Sequence, residues 1–375
     1  MKIRIGVAGL GAVAQSVHLP LIQRRWDLFE LVAVADLSPT QAADVGRQFG
    51  VQPQHCHANL SDMLDAEDLD GVLLLTSGSH GAPALECIQR GVAVFCEKPL
   101  ALSLAEVDAI QAAEKEADRP LLLLAYMKEY DPAVVRLREL LPPLADIRYV
   151  NVEVLHPSGS SQLAFARLRP PAGDVDPEAL AALRETDDAV VSRVLGHAAP
   201  PALRQLYSGV VLGSLVHDIS LIRSLFGPVA QIGTATAWAE QDSPGSVEIS
   251  GTLGDNARLH MHWHYLENYP CYRETVTIHH TTGSFELEFT VPYLLNAPTQ
   301  LRIVTSHGAG ESSATVRDVT EAFEVELEAF HAMVQDSVPP PTGSAEGRTD
   351  LETGQAIARA LAEGLGITIT GEAAR

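Results

Sequence analysis

Cysteine is scarce in this chain: four among 375 residues, Cys56, Cys87, Cys96 and Cys271, with no C-x-x-C pairing. That usage suits a reducing compartment and argues against both a disulfide framework and a structural zinc site. Positive charge is also short, with 26 Lys and Arg against 48 Asp and Glu, a formal net charge of -22. Nucleic acid and anionic membranes would be repelled, which leaves small molecules as the expected ligands. Apolar runs fall short of the roughly 18 residues that a membrane span needs, and Met1 to Arg4 leads into a strand pattern instead of a signal peptide. The expectation is a soluble, cytoplasmic protein. At 375 residues and 46% hydrophobic content, the chain is globular and too long for one ordinary core, so two domains are expected.

From Lys2 to about Tyr126, short aliphatic runs (IRIGVAG, LVAVAD, GVLLLTS, VAVFCE, LLLLAY) alternate with amphipathic segments. This is the βαβ rhythm of a parallel sheet covered on both faces. Ser38-Pro39 supplies an N-cap and a first-turn proline, Ser103 to Glu106 reads as a capping box, and Gly91 as a helix stop. The pattern predicts a doubly wound α/β domain over residues 1–125 with five strands, whose ligands lie at the strands' carboxyl ends.

At the first such end stands Gly9-Leu-Gly11-Ala12-Val13-Ala14, a G-x-G-x-x-A between strand and helix. Gly9 permits the tight turn, Gly11 lets a pyrophosphate approach the backbone, and Ala14 is small enough for close helix–strand packing. Asp36 ends the second strand, where an acid accepts both ribose hydroxyls of NAD and repels the 2'-phosphate of NADP. Neither Leu37 nor Ser38 offsets it, so the expected cofactor is NAD.

A second feature lies at 211–222, VLGSLVHDISLI. At α-helical pitch, Gly213, His217, Ser220 and Ser224 form a narrow polar stripe on an apolar helix. Such a stripe either packs against a small-residue surface or lines a cleft.

The fourth strand ends in Cys96-Glu97-Lys98-Pro99-Leu100, and with this tripeptide the sequence resembles the Gfo/Idh/MocA family of oxidoreductases. Thr76-Ser77-Gly-Ser-His80 resembles that family's loop after strand three, and Ala125 to Pro132 its segment after strand five. The resemblance implies a Rossmann domain and an α+β C-terminal domain with a large open, mainly antiparallel sheet. It also implies that Thr76, Ser77, His80, Glu97 and Lys98 lie at the cofactor, with Lys98 near the nicotinamide and the substrate hydroxyl. Partial desolvation at a strand end suits a lysine to proton exchange. His217 matches the family's C-terminal-domain histidine, while Gly213 and Ser220 stand where acids are usual. The stripe is therefore expected to line the substrate cleft, with His217 acting as base or as a hydrogen-bonding group. Tyr126, Lys128 and Tyr293 are further candidates for substrate contact.

After Pro142-Pro143 a second domain is expected over residues 126–375, with an excursion at 156–206 containing a helix near Pro177 to Leu195. Alternating runs from Val229 (SVEISGTL, ARLHMHWHYL, RETVTIHH, SFELEFTV) predict the sheet, with helices near 320–336 and 349–364. Its open face predicts a homodimer or homotetramer. His260, His262 and His264 share one strand face, but same-face residues about 6.5–7 Å apart are awkward for one tetrahedral ion. No acid or cysteine at metal-site spacing completes the set, so these are expected to be interface or packing histidines and no metal is expected. The expected activity is NAD-dependent hydride transfer to or from a secondary alcohol or ketone of a sugar, sugar derivative or cyclitol. A redox-neutral, NAD-retaining lyase or glycosidase and a non-catalytic sugar or nucleotide sensor stay open, because the two acids are missing.

Overall fold

The aliphatic runs of the first third form a six-stranded parallel sheet in the order β3-β2-β1-β4-β5-β6. Its strands are β1 (Ile3–Ala8), β2 (Phe29–Ala35), β3 (Cys56–His57), β4 (Gly71–Leu74), β5 (Ala93–Cys96) and β6 (Leu122–Leu124). The computed structural model describes residues 1–169, 172–238 and 245–375. Five of the strands are those expected. The sixth, Cys56–His57, is two residues long and too short to show a periodicity of its own. All four residues of β4 and of β5 are buried, as a sheet covered on both faces requires. Ser38 Oγ accepts from the Gln41 N–H at 3.0 Å, and Ser103 with Glu106 forms the full capping box.

The chain divides into two compact units, each assembled from three stretches. The first comprises Met1–Tyr126, Arg167–Val194 and Phe323–Arg348, so a single cut after residue 125 describes only part of it. Phe330 stacks edge-on against Phe95 and fills the space where a Cβ on Gly71 would sit, 2.7 Å from its ring. Thr342 hydrogen-bonds Leu124 through both its hydroxyl and its carbonyl. The helix expected in the excursion spans Pro177–Leu195; Pro170 and Pro171, also within that excursion, lie outside the described residues.

The second unit comprises Met127–Ala166, Leu195–Ala322 and Thr349–Arg375. Its eight-stranded sheet runs β14-β13-β12-β11-β7-β10-β9-β8. The strands are β7 (Ile147–His156), β8 (Gln231–Trp238), β9 (Ser246–Leu253), β10 (Ala257–Tyr265), β11 (Arg273–His280), β12 (Gly283–Phe289), β13 (Gln300–His307) and β14 (Gly310–Arg317). β7 and β10 are parallel, and the other described pairs are antiparallel. Val150, Val152, Val154, Leu259, Met261, Trp263, Val276 and Ile278 form the covered face. The Trp263 indole donates to Ser214 Oγ at 2.9 Å and ties the sheet to the helix above it. The opposite face carries Tyr149, Asn151, Glu153, His260, His262, His264 and Thr277, all half-buried. It is polar, so apolar exposure is not a reason for it to be covered.

Two expectations about the segment at 201–226 need correction. Leu206–Leu215 is a π-helix and only Val216–Phe226 is α-helical, so a stripe drawn at one α pitch does not run straight through. Ser220 is fully buried and donates to the His217 carbonyl at 3.0 Å, and Ser224 donates to Leu221. Both hydroxyls serve their own helix. Pro201–Phe226 is also long and apolar enough, by length and composition, to cross a membrane. Its most apolar window is 56% buried inside the structure, as in the core helix of a globular unit.

Candidate functional site

In the first unit the chemistry-bearing residues gather at the carboxyl ends of β1, β2, β4 and β5. Gly9 has φ of 90°, and a Cβ there would lie 2.6 Å from the Leu75 carbonyl carbon, so only glycine fits this turn. A Cβ on Gly11 would meet nothing within 4 Å. That open surface is where a pyrophosphate would rest against the backbone. Ala12 and Val13 begin the helix, and Ala14 is fully buried beneath it. Asp36 accepts from the Leu10 N–H at 2.8 Å and from the Ser38 N–H at 2.9 Å. The acid therefore braces the glycine loop, and each oxygen keeps a lone pair for a ribose hydroxyl. Asp174 pairs with Ser38 Oγ and accepts from the Thr40 N–H at 3.0 Å, contacts that hold its carboxyl down at about 2. These residues fit a dinucleotide.

Glycine substitutions separate the two jobs of this loop. Gly9→Ala is expected to lower stability by about 1–2 kcal/mol or more, the cost of placing a side chain at positive φ. Gly11→Ala should leave the melting temperature unchanged yet weaken NAD binding by about tenfold or more. Thermal denaturation and NAD titration of both variants check this.

Lys98 follows β5, is half-buried and precedes a cis peptide to Pro99. Its backbone N–H donates to Glu97 Oε2 at 3.1 Å, while Glu97 Oε1 lies 3.2 Å from His18 Nε2. Burial works to raise the Glu97 carboxyl, but His18 and Lys98 outweigh it and hold the group below the ordinary carboxylate range. Glu97, expected at the cofactor, is instead a buried brace beneath the lysine. His80 is corrected in the same sense. It is buried, with its ring nitrogens 2.8 Å from the Pro99 carbonyl and 3.0 Å from the Thr76 carbonyl. Burial pushes it below the usual imidazole range, and it ties the loop after β4 to the Lys98–Pro99 turn. Thr76 and Ser77 are exposed in that loop, whereas Tyr126 is 1% exposed and belongs to the core.

In the second unit His217 lies half-buried one residue into the α-helical part of its segment. Two ionic ties fix this helix to the 3-10 turn Met127–Tyr130. In the first, Lys128 Nζ lies 2.8 Å from Asp218 Oδ1 and also pairs with Glu274 Oε1, and the Tyr272 hydroxyl donates to Glu274 Oε2 at 2.6 Å. In the second, Arg223 bridges Glu129 at 2.7 Å and Asp350 at 2.8 Å. Burial opposes the Lys128 charge, but Asp218 and Glu274 outweigh it and hold the ammonium above its usual range. Lys128 is thus spent on two buried carboxylates and is not a substrate contact. Tyr293 is half-buried with φ of 73°, a backbone conformation uncommon for a bulky residue. A Cβ on Gly213 would lie 3.2 Å from the Ser208 carbonyl oxygen.

His18, Asp174, Asp218, Tyr272 and Glu274 were not singled out as site residues by the sequence. Asp218 gave the one local signal, an acid in an apolar helix turned about 100° from the polar stripe.

Residues 3–124 match the family model described as an oxidoreductase family with an NAD-binding Rossmann fold. The inositol 2-dehydrogenase of Ralstonia nicotianae is 34% identical over 142 residues, 38% of this chain and 42% of that protein. The chain thus matches less than half of that relative's length. Solved structures show the fold over nearly the whole chain. A UDP-N-acetylglucosamine 3-dehydrogenase from Acidithiobacillus ferrooxidans matches with TM-score 0.71 and 20% identity, covering 97% of this chain and 99% of its own. A mutant 3-ketoreductase from Actinomadura kijaniata, in complex with TDP-benzene and NADP, matches with TM-score 0.73 and 16% identity, covering 96% and 98%. The matched residues 3–124 carry the glycine loop and the Glu97-Lys98-Pro99 strand end, so it is this dinucleotide-binding part of the chain that is similar to the Gfo/Idh/MocA oxidoreductases.

Proposed function

We propose that this protein is an NAD-dependent oxidoreductase acting on a secondary alcohol or ketone of a sugar, sugar derivative or cyclitol. The observation that carries the reading is Lys98: a half-buried lysine at a strand end, held from behind by the buried His18–Glu97 pair, on the domain that bears the glycine loop. A bound nicotinamide supplies or accepts the hydride. Lys98 takes up or returns the hydroxyl proton, and its ammonium form polarises a carbonyl oxygen. His217 is the second proton-handling group, oriented by the Asp218 and Arg223 ties on its helix. The inositol and nucleotide-sugar dehydrogenases among the similar proteins support a polyhydroxylated substrate.

Glycine at 213 favours one second reading, a redox-neutral reaction in which NAD is reduced and reoxidised within a turnover. A screen of cyclitols and sugars with NAD, read by near-ultraviolet absorbance and by mass spectrometry of products, tests both. A ketone product with equimolar NADH supports the dehydrogenase. A changed sugar without NADH supports the redox-neutral reading, and NAD binding with no turnover of any compound contradicts both.

NAD is the proposed cofactor in preference to NADP, because a 2'-phosphate would meet Asp36 and Asp174. NAD should bind at least about tenfold more tightly than NADP. Leu37→Arg should narrow the gap without breaking the bonds by which Asp36 braces the loop, and equal wild-type affinities would defeat the argument. We place the protein in the cytoplasm as a homodimer or homotetramer, to be checked by light scattering.

A further inference from the structure

The three histidines of β10 find their acid on the neighbouring strand. In the antiparallel register of β9 against β10, Glu248 lies directly opposite His262, and Ser246 opposite His264. Directly opposed residues on one sheet face have Cβ atoms about 4.5–5.5 Å apart. The ligand atoms of Glu248, His262 and His264 all lie within 4.8 Å of one another. His262 Nδ1 is 3.8 Å from Glu248 Oε1, close to the about 3.3 Å that separates two ligands on one tetrahedral zinc ion. From this geometry we propose that Glu248, His262 and His264 form a binding site for one borderline divalent cation of the Zn2+ class, held on the polar face of the eight-stranded sheet.

The difficulty with a three-histidine set is avoided, because the third ligand comes from the next strand and not from two residues along the same one. The rings of His262 and His264 stack with centroids 6.3 Å apart and 21° between planes, so small rotations bring two nitrogens to one ion. Both are half-buried and Glu248 is exposed, which leaves the side chains free to rotate. The chemistry of the donor set is that of zinc: two imidazoles and a carboxylate, with a fourth position for water. Glu153, paired across from His262 on β7, adds negative charge to the same face. His260, stacked 6.2 Å from His262 on its other side, continues the row of rings without belonging to the ligand set.

The test uses the full-length, tag-free chain, freed of metal by chelation, and ZnCl2 as the probe. Titration calorimetry should give one Zn2+ per chain at this site, and Zn2+ should raise the melting temperature by linking β9 to β10. His262→Ala/His264→Ala should weaken that binding by about tenfold or more, as loss of ligands demands. Glu248→Gln, on an exposed side chain, should weaken it in the same direction with the fold intact. Co2+ in place of Zn2+ should give the visible absorption of a low-coordinate nitrogen–oxygen site, absent from the double variant. Unchanged stoichiometry and affinity in folded Glu248→Gln and in the double variant would overturn the proposal, since the ion would then be held by other histidines.

Discussion

Lys98→Ala is expected to lower kcat by about 100-fold or more while leaving NAD affinity nearly intact, the usual scale for removing a positioned general acid or base. The side chain ends a strand of the dinucleotide domain, and its backbone is fixed by Glu97, so the variant loses an ammonium without losing the turn that presents it. Lys98→Arg should not restore the rate, because a guanidinium stays protonated at working pH. His217→Ala should cost less if Lys98 is the main proton carrier. Were His217 the carrier, its loss would match or exceed that of Lys98, and the pH–rate profile would show a limb in the imidazole range. Gly213→Asp gives an independent check. A Cβ at 213 needs the Ser208 carbonyl to yield by only a few tenths of an ångström. A carboxylate one turn before His217 should then move such a limb to higher pH by favouring the imidazolium. A loss of NAD affinity as large as the loss of rate in Lys98→Ala would make the lysine a cofactor anchor and not a proton carrier.

Lys128→Met is expected to destabilise the protein by about 3–5 kcal/mol, the cost of leaving buried charge without its counterion. Asp218 and Glu274 are each 2% exposed, and the lysine is the cation between them. Burial, with Glu274 next, pushes the Asp218 carboxyl well above its ordinary range; burial also works to raise Glu274, but Lys128, Asp218 and Tyr272 outweigh it and hold that carboxyl below its own. The folded wild type therefore binds Asp218's proton more tightly than the unfolded chain does. Its contribution to stability is full below the ordinary carboxylate range and falls as pH rises through the shifted one. Without Lys128 both carboxylates favour the protonated form. The deficit of Lys128→Met should be largest at neutral pH and shrink as the solution is acidified. Asp218→Asn, which resembles the protonated acid, should cost less than Glu274→Gln. Urea denaturation at neutral and mildly acidic pH reads all of this, and a deficit under about 1 kcal/mol, equal at both pH values, would contradict it.

The parts of the site that are legible in the sequence are those whose physics is local. Gly9, Gly11, Ala14 and Asp36 announce a loop because turn, helix and acid must sit within one βαβ unit. The capping box at Ser103 and the helix at Pro177–Leu195 are likewise local and stand where expected. What was hidden depends on partners far along the chain. His18 meets Glu97 across 79 positions, and Lys128 meets Asp218 and Glu274 across 90 and 146. A lone lysine before an apolar helix therefore reads as a surface or substrate cation. The strand pattern of β10 was plain, but only the register against β9 supplies Glu248. Gly213 is out of line with His217 for a different reason, since a helix counted at a uniform pitch does not allow for the π segment that holds Gly213, while Ser220, in the α-helical part, is buried against its own helix.

Hydride transfer itself is the claim most open to a single measurement. A polyol substrate found in the screen, deuterated at the carbon that is oxidised, is incubated with NAD and the protein, and the reduced cofactor is recovered for mass spectrometry. The account predicts one deuterium at the nicotinamide ring per turnover, and far less reduced cofactor formed by Lys98→Ala under the same conditions. Deuterium lost to water, or retained in the product while the nicotinamide stays unlabelled, would contradict it.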